Sequence, residues 1–205
     1  MDRVRMRFNG WIAGLGTASG TRLVVGHWPD SPFGPVTDVM VEHADGRRVL
    51  LAETEELGRF VAETYSFDRV RVVPVSVDRS GPAWTVTAGP LTLRFITGGR
   101  GPLGRLLHAV PPVLARRLLW VRLIDVPARL LRGVRTHGSA GNGRRERYAV
   151  QDLHRITTAT GVLDGVDLGR LAAVDPPVRF GFGSTPRFPA LVRVTTTVEV
   201  RARRR

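Results

Sequence analysis

The sequence contains no cysteine and no lysine, and only 7% of its residues are aromatic. Without cysteine the chain cannot form a disulfide, use a thiol nucleophile or hold zinc through thiolates. Without lysine it cannot form a Schiff base through a side-chain amine. No apolar run reaches the roughly 18 residues of a membrane span, since Pro111 and Pro112 interrupt the longest one. The start of the chain also lacks a signal-peptide pattern. We therefore expect a cytoplasmic protein without a transmembrane segment.

The 31 basic side chains are all arginine, and they are unevenly distributed. Residues 102–148 carry ten arginines against Asp125 and Glu146, a net charge of +8, and the last five residues add four more arginines. A uniform preference for arginine over lysine is typical of GC-rich genomes, so the total of +13 says little about partners. The placement is more informative, because a local basic patch suits nucleic acid, anionic lipid or an acidic ligand.

Length and hydrophobic patterning predict one β-rich domain over residues 1–205. The chain has 42% apolar residues, 23 glycines and 14 prolines, which favours a packed core with many turns. Residues 191–200 have a strand pattern, in which four valines and Thr196 lie on one side and charged residues and threonines lie on the other. About ten strand candidates are separated by turn signals. We predict a mainly β fold, with α+β as the alternative class. The sheet is expected to be antiparallel and barrel-like or two-layered, with one flanking helix near 54–65 and a basic helical cover inserted at 102–134.

The sequence also predicts the local structure of residues 27–35 and of residues 144–163. Residues 27–35 contain three prolines, which lack amide donors, and are predicted to be a rigid loop. Residues 144–150 and 155–163 are predicted to be strands. If they formed one continuous strand, Glu146, Tyr148, Asp152 and His154 would lie on the same side of it and could face one cavity.

Candidate catalytic residues lie within residues 27–35 and within residues 144–163. His27 with Asp30 is one acid/base pair, and Tyr148 with Asp152 and His154 is another. The five histidines show no metal-binding spacing, so we predict no metal site, and no motif indicates a cofactor.

Candidate ligand-binding residues come from three places. Two aromatic residues lie in the proline-rich segment, one lies in the helical cover, and three basic residues lie in the loop at 135–145, where small residues, backbone amides and arginines suit an anion. They are Trp28, Phe33, Trp120, Arg135, His137 and Arg144.

These observations predict a protein that binds a small, partly apolar molecule inside a β-barrel-like domain. The arginines of the helical block and the loop allow this molecule to be acidic. Two alternatives stay open. One is an enzyme on the same scaffold that uses His, Asp and Tyr side chains for acid/base chemistry. The other is an adaptor that contacts a lipid surface, nucleic acid or an acidic protein through the arginine-rich block. Ligand identity and oligomeric state do not follow from the sequence.

Overall fold

The computed structural model describes residues 3–110, 137–139, 144–181 and 185–201. In these residues the chain forms thirteen strands and two helices. In chain order they are β1 Arg3–Thr17, β2 Arg22–Asp30, β3 Val36–Glu42, β4 Arg48–Ala52, α1 Glu55–Ala62, β5 Arg69–Val72, β6 Val75–Ser80, β7 Ala83–Ala88, β8 Leu91–Thr97, α2 Pro102–Ala109, β9 His137–Ser139, β10 Arg145–Leu163, β11 Val166–Asp167, β12 Leu171–Ala172 and β13 Ala190–Arg201. The predicted mainly β fold is confirmed.

The strands form one large open sheet in the order β5-β4-β3-β2-β1-β13-β10-β8-β7-β6, and the short strands β9, β11 and β12 pair at its margins. Neighbouring strands are antiparallel except β4 and β5, which are parallel. Helix α1 connects these two strands, as a parallel connection requires a crossover. The sheet curls enough for β3 and β6 to contact each other, which gives the two-layered character expected from the sequence.

The two faces of strands β1–β4 and β13 bury different hydrophobic clusters, because successive side chains in a strand point to opposite faces. One face packs against β7, β8 and the second half of β10, and its cluster fills the space inside the curled sheet. The cluster on the other face packs against α1 and the aromatic residues around it. The first cluster includes Leu15, Leu23, Val39, Leu51, Val86 and Phe95, and the second includes Phe8, Trp28, Leu50, Leu57, Val61 and Val194.

Both helices lie where the sequence predicts helices. Thr54 caps α1 by accepting a hydrogen bond from the Leu57 amide at 3.2 Å. Helix α2 packs on β10, and a side chain at Gly104 would come within 2.3 Å of the Leu153 carbonyl oxygen. Glycine at this position therefore permits the close approach. The remainder of the predicted helical cover, residues 111–134, lies outside the described residues.

The prediction of a loop at 27–35 is wrong for its first half, since β2 continues to Asp30 despite Pro29. The pairing with β1 shifts here: Trp11 is opposite His27, but Asn9 is opposite Asp30. One extra residue of β2 is therefore accommodated in a bulge, where proline need not donate to the ladder. Gly10 of β1 makes this possible, because a Cβ there would lie 2.0 Å from the His27 carbonyl oxygen.

Strand β10 is continuous from Arg145 to Leu163, but a bulge divides it into two halves of opposite side-chain phase. Tyr148 is opposite Thr196 of β13, whereas Asp152 is opposite Arg193, after a register shift between Val150 and Asp152. A one-residue shift moves the following side chains to the other face of the sheet. Asp152 and His154 therefore do not share a face with Glu146 and Tyr148.

Candidate functional site

A cavity that is partly open to solvent lies between the sheet, α1 and the segment at 178–181, with about 790 Å³ of empty space when the open solvent at its mouth is counted. It lies on the face of the sheet that carries the α1 cluster, not inside the curled sheet. Its lining, as far as the described residues form it, is largely apolar, with six aromatic side chains and a few polar groups. The aromatic residues are Phe8, Trp28, Phe60, Tyr65, Tyr148 and Phe180, and the polar ones include Asp38, Thr64, Glu146 and Thr196.

Asp38 projects into this cavity from the middle of β3 and is only 3% exposed. Its Oδ1 accepts a hydrogen bond of 3.1 Å from Trp28 Nε1, while Oδ2 accepts none from the described residues. Its neighbour across the strands is Gly26, where a Cβ would lie 2.7 Å from Trp28 Nε1 and 2.8 Å from Asp38 Oδ1. Glycine at position 26 therefore leaves the space in which the indole reaches the carboxyl group.

Glu146 forms a second acidic group of the cavity with two phenols. Tyr65 and Tyr148 each donate to Glu146 Oε2 at 2.8 Å, and their hydroxyl oxygens are 2.7 Å apart. The three side chains thus form one hydrogen-bonded cluster in the wall of the cavity.

Burial changes the pKa values of all these groups in the same direction. Loss of solvation raises the pKa of Asp38 to about 7, against the lowering effect of the Trp28 hydrogen bond. Burial also raises the pKa of Glu146, although the hydrogen bonds from the two tyrosines and the charge of Arg144 lower it. Burial raises the pKa of Tyr65 and Tyr148 well above their usual range. The cavity therefore holds carboxyl groups that bind a proton more readily than exposed ones do.

The outer wall of the cavity is held by a buried ion pair at the end of β3. Glu42 is fully buried and lies 3.0 Å from Arg22 Nη2. It also accepts hydrogen bonds from the Arg179 backbone amide at 2.7 Å and from Arg179 Nε at 2.9 Å. Arg22 in turn donates to the Pro176 carbonyl at 3.4 Å. These bonds fix the segment whose neighbouring residues Val178 and Phe180 line the cavity.

Arg144 fastens α1 to the start of β10. Its Nη1 donates to the Phe60 carbonyl at 2.8 Å and to Thr64 Oγ1 at 2.5 Å, and its Nη2 bonds Glu63. The guanidinium also lies 4.7 Å from the centre of the Phe60 ring. Because Phe60 and Thr64 line the cavity, Arg144 positions the helical wall.

Asp152 anchors α2 in a separate cluster on the opposite face of β10. Arg100 donates to both its carboxylate oxygens at 2.7–3.0 Å, and His154 Nε2 lies 3.3 Å from Oδ2. His108 of α2 approaches the same oxygen at 3.6 Å. Burial would raise the pKa of Asp152, but the bonds from Arg100 and the charge of His154 lower it.

The candidate catalytic residues are thus distributed over three places. His27 bonds Thr37 at 3.0 Å and faces Trp84 on the side of β2 away from the large cavity; burial lowers its pKa, against the effect of Glu53. Asp30 is exposed and accepts a hydrogen bond from Asn9 at 2.7 Å. Tyr148 alone of these candidates lines the large cavity, separated by the β10 bulge from Asp152 and His154.

The candidate ligand-binding residues are also divided. Trp28 lines the cavity, and Phe33 packs at 5.3 Å from the Phe60 ring without lining it. The backbone of His137 pairs with β10. Trp120 and Arg135 lie outside the described residues.

Neither Tyr65 nor Asp38 is among the site residues predicted from the sequence. A signal for Asp38 existed: it interrupts the apolar residues of β3 between Thr37 and Val39, where a buried carboxyl group is unusual. Within the part of the chain that the structure describes, no group of three or more acidic or histidine side chains converges as metal ligands do. No helix in that part is long and apolar enough to cross a membrane.

Comparisons with known proteins reveal a distant structural likeness. No protein-family model matches the chain, and no curated protein sequence matches it. Among solved structures, acetoacetate decarboxylase from Legionella pneumophila is similar with a TM-score of 0.39 and 9% sequence identity, over 96% of this chain and 83% of that one. A likeness at this level carries no argument about function.

Proposed function

We propose that this protein binds a small, partly apolar molecule in the cavity between the sheet, α1 and residues 178–181. The observation that carries the proposal is Oδ2 of Asp38, on a residue only 3% exposed, which lines a largely apolar cavity and accepts no hydrogen bond from the described residues. Thr196 Oγ1, which also belongs to the lining, is buried without a hydrogen-bond partner among those residues. Polar groups buried without partners are costly to a fold, and ligand sites commonly contain them.

The lining of the cavity argues against an acidic ligand. Its polar lining includes two carboxyl groups, Asp38 and Glu146, and no basic side chain among the described lining residues. An anionic ligand would meet like charges there whenever these acids are ionised. The basic residues that motivated the acidic ligand lie mostly at 111–136, outside the described residues, so contact with an anionic partner through them stays a prediction.

Binding of a neutral apolar dye such as Nile red, monitored by its fluorescence, tests the proposal directly. Val178→Phe should weaken binding, because this buried valine lines the cavity and the larger ring would occupy part of it. Val166→Phe is the matched control, since Val166 is 64% exposed on β11. Native mass spectrometry should also reveal a co-purified small molecule. Absence of dye binding, or equal loss in both variants, would refute the proposal.

Acid/base catalysis on the bound molecule is a second candidate, favoured by the hydrogen-bonded group of Glu146, Tyr65 and Tyr148. A neutral carboxylic acid linked to two phenols can deliver a proton to a bound molecule and recover it. Glu146→Gln keeps the shape of the side chain but removes this proton. If the protein converts its co-purified molecule, the variant should still bind it and turn it over at least about a hundredfold more slowly. Unchanged turnover would exclude this role.

A further inference from the structure

We propose that the ligand of this cavity is a small apolar amine whose protonated nitrogen pairs with Asp38. This inference rests on the proposed function and names its ligand class. The buried acids of the described residues fall into two groups. Glu42, Asp152 and Glu199 each form an ion pair with an arginine. Asp38 and Glu146, the two that line the cavity, form ion pairs with none of the described residues.

Asp38 is the better ligand group of the two. Glu146 Oε2 already accepts hydrogen bonds from Tyr65 and Tyr148. Asp38 has only the indole bond on Oδ1, so Oδ2 remains available to a donor inside the cavity. An ammonium group would supply that donor and also the opposite charge that this carboxyl lacks. Charge-assisted hydrogen bonds of this type are short and strong in a site shielded from water.

The remainder of the lining suits the same ligand. Six aromatic side chains line the cavity, and the faces of aromatic rings attract cations. Apolar side chains from β1, β2 and α1, among them Ile12, Val24 and Leu57, provide the surface against which a hydrocarbon body would pack. A carboxylate ligand would be repelled by Asp38 once that acid is ionised, and a neutral hydrocarbon would offer Asp38 Oδ2 no hydrogen-bond donor. An amine with an aromatic or alicyclic body suits the Asp38 carboxyl group, the aromatic rings and the apolar side chains of the lining.

The titratable groups that share the cavity with Asp38 are Tyr65, Glu146 and Tyr148. The strand neighbours of Asp38 are Gly26 of β2 and Ala52 of β4, which carry no charge. Burial raises the pKa of both tyrosines further, so they stay neutral, and burial also raises the pKa of Glu146. Amine binding should therefore follow the ionisation of Asp38, whose pKa is about 7 in the empty cavity. Affinity should fall by up to about tenfold for each pH unit below that value.

Isothermal titration with three molecules of similar size tests the inference: phenethylamine, phenethyl alcohol and hydrocinnamate. At about pH 8 the amine should bind about tenfold to a hundredfold more tightly than the alcohol, and the carboxylate more weakly than either. The advantage of the amine should shrink as the pH is lowered through 7. Asp38→Asn should remove the preference for the amine, so that the variant binds the amine and the alcohol with similar affinities.

The outcomes separate the two proposals. If Nile red binds but the amine and the alcohol bind equally in the native protein at about pH 8, the amine inference is wrong and the cavity remains a general apolar site. If hydrocinnamate binds most tightly, the ligand is acidic and the inference is overturned. If none of the three molecules nor the dye binds, the proposed function itself fails. The comparison of amine with alcohol uses the unmodified protein, so it does not depend on the folding of any variant.

Discussion

With asparagine in place of Asp38, the free energy of unfolding should decrease less as the pH rises. Burial raises the pKa of this carboxyl from 3.8 to about 7. The native state therefore keeps a proton over a range in which the unfolded chain has lost it, and stability falls as the pH rises from about 4 to about 7. One pKa unit corresponds to about 1.4 kcal/mol, so full ionisation of Asp38 costs the native state about 4 kcal/mol.

Much of this loss of stability occurs over a pH range in which unfolding can be measured. For a native pKa of about 7, the loss between about pH 5 and pH 8 amounts to about 2–3 kcal/mol. Asparagine has the same shape, its Oδ1 can still accept the bond from Trp28, and it does not titrate. The free energy of unfolding of Asp38→Asn should therefore lose about 2–3 kcal/mol less than the native protein over this interval.

Urea unfolding at a series of pH values, followed by tryptophan fluorescence, measures this difference. Other titrating groups, including Glu146, contribute to both proteins and cancel in the comparison. Asp30→Asn removes an exposed carboxylate from the neighbouring strand and is the control for loss of one negative charge. Parallel curves for Asp38→Asn and the native protein would refute the argument, because they would mean that this carboxyl titrates alike in the folded and unfolded chains.

Three further predictions follow from specific contacts. Gly26→Ala should break the bond between Trp28 and Asp38, since its Cβ would lie within 2.8 Å of both atoms of that bond; a shift of the tryptophan emission spectrum would report it, and an unchanged spectrum would contradict it. Glu42→Gln should lower the free energy of unfolding by about 3–5 kcal/mol, because the buried Arg22 loses its charged partner. In the same urea experiment, Asp45→Asn, which breaks an exposed ion pair, should change this free energy by less than about 1 kcal/mol. Asp152→Asn should speed amide hydrogen exchange in α2 about tenfold or more, because Arg100 and His108 lose their anchor; equal exchange would show that packing alone holds the helix.

Local patterns in the sequence were sufficient for most of the fold. Alternation over residues 191–200 predicted β13, and Thr54 with the acids after it predicted α1, because both signals act between near neighbours in the chain. Pro29 led to a wrong prediction of a loop. Its effect depends on Gly10 in another strand, which allows the bulge that accommodates the proline.

The candidate site was predicted less well than the fold. Glu146 and Tyr148 were placed correctly relative to each other, since they are two residues apart in one strand. Asp152 and His154 were predicted to lie on the same side of the strand as these two residues. They do not, because the bulge after Val150 moves the following side chains to the other face of the sheet. No residue type in the segment signals this bulge. Tyr65 lies 81 residues from Glu146 in the chain, and no local pattern could connect the two.

The sequence by itself determined the chemistry that this protein lacks and the segments that form strands and helices. The absence of lysine and cysteine excludes imine and thiolate chemistry, and short-range periodicity sets the secondary structure. Only the tertiary structure decided which face of the sheet holds the cavity and which acids are buried in it. Those properties depend on strand register and on contacts between distant residues, such as Tyr65 with Glu146 and Glu42 with Arg179. The same burial gives Asp38 its raised pKa and, in our proposal, its affinity for an amine.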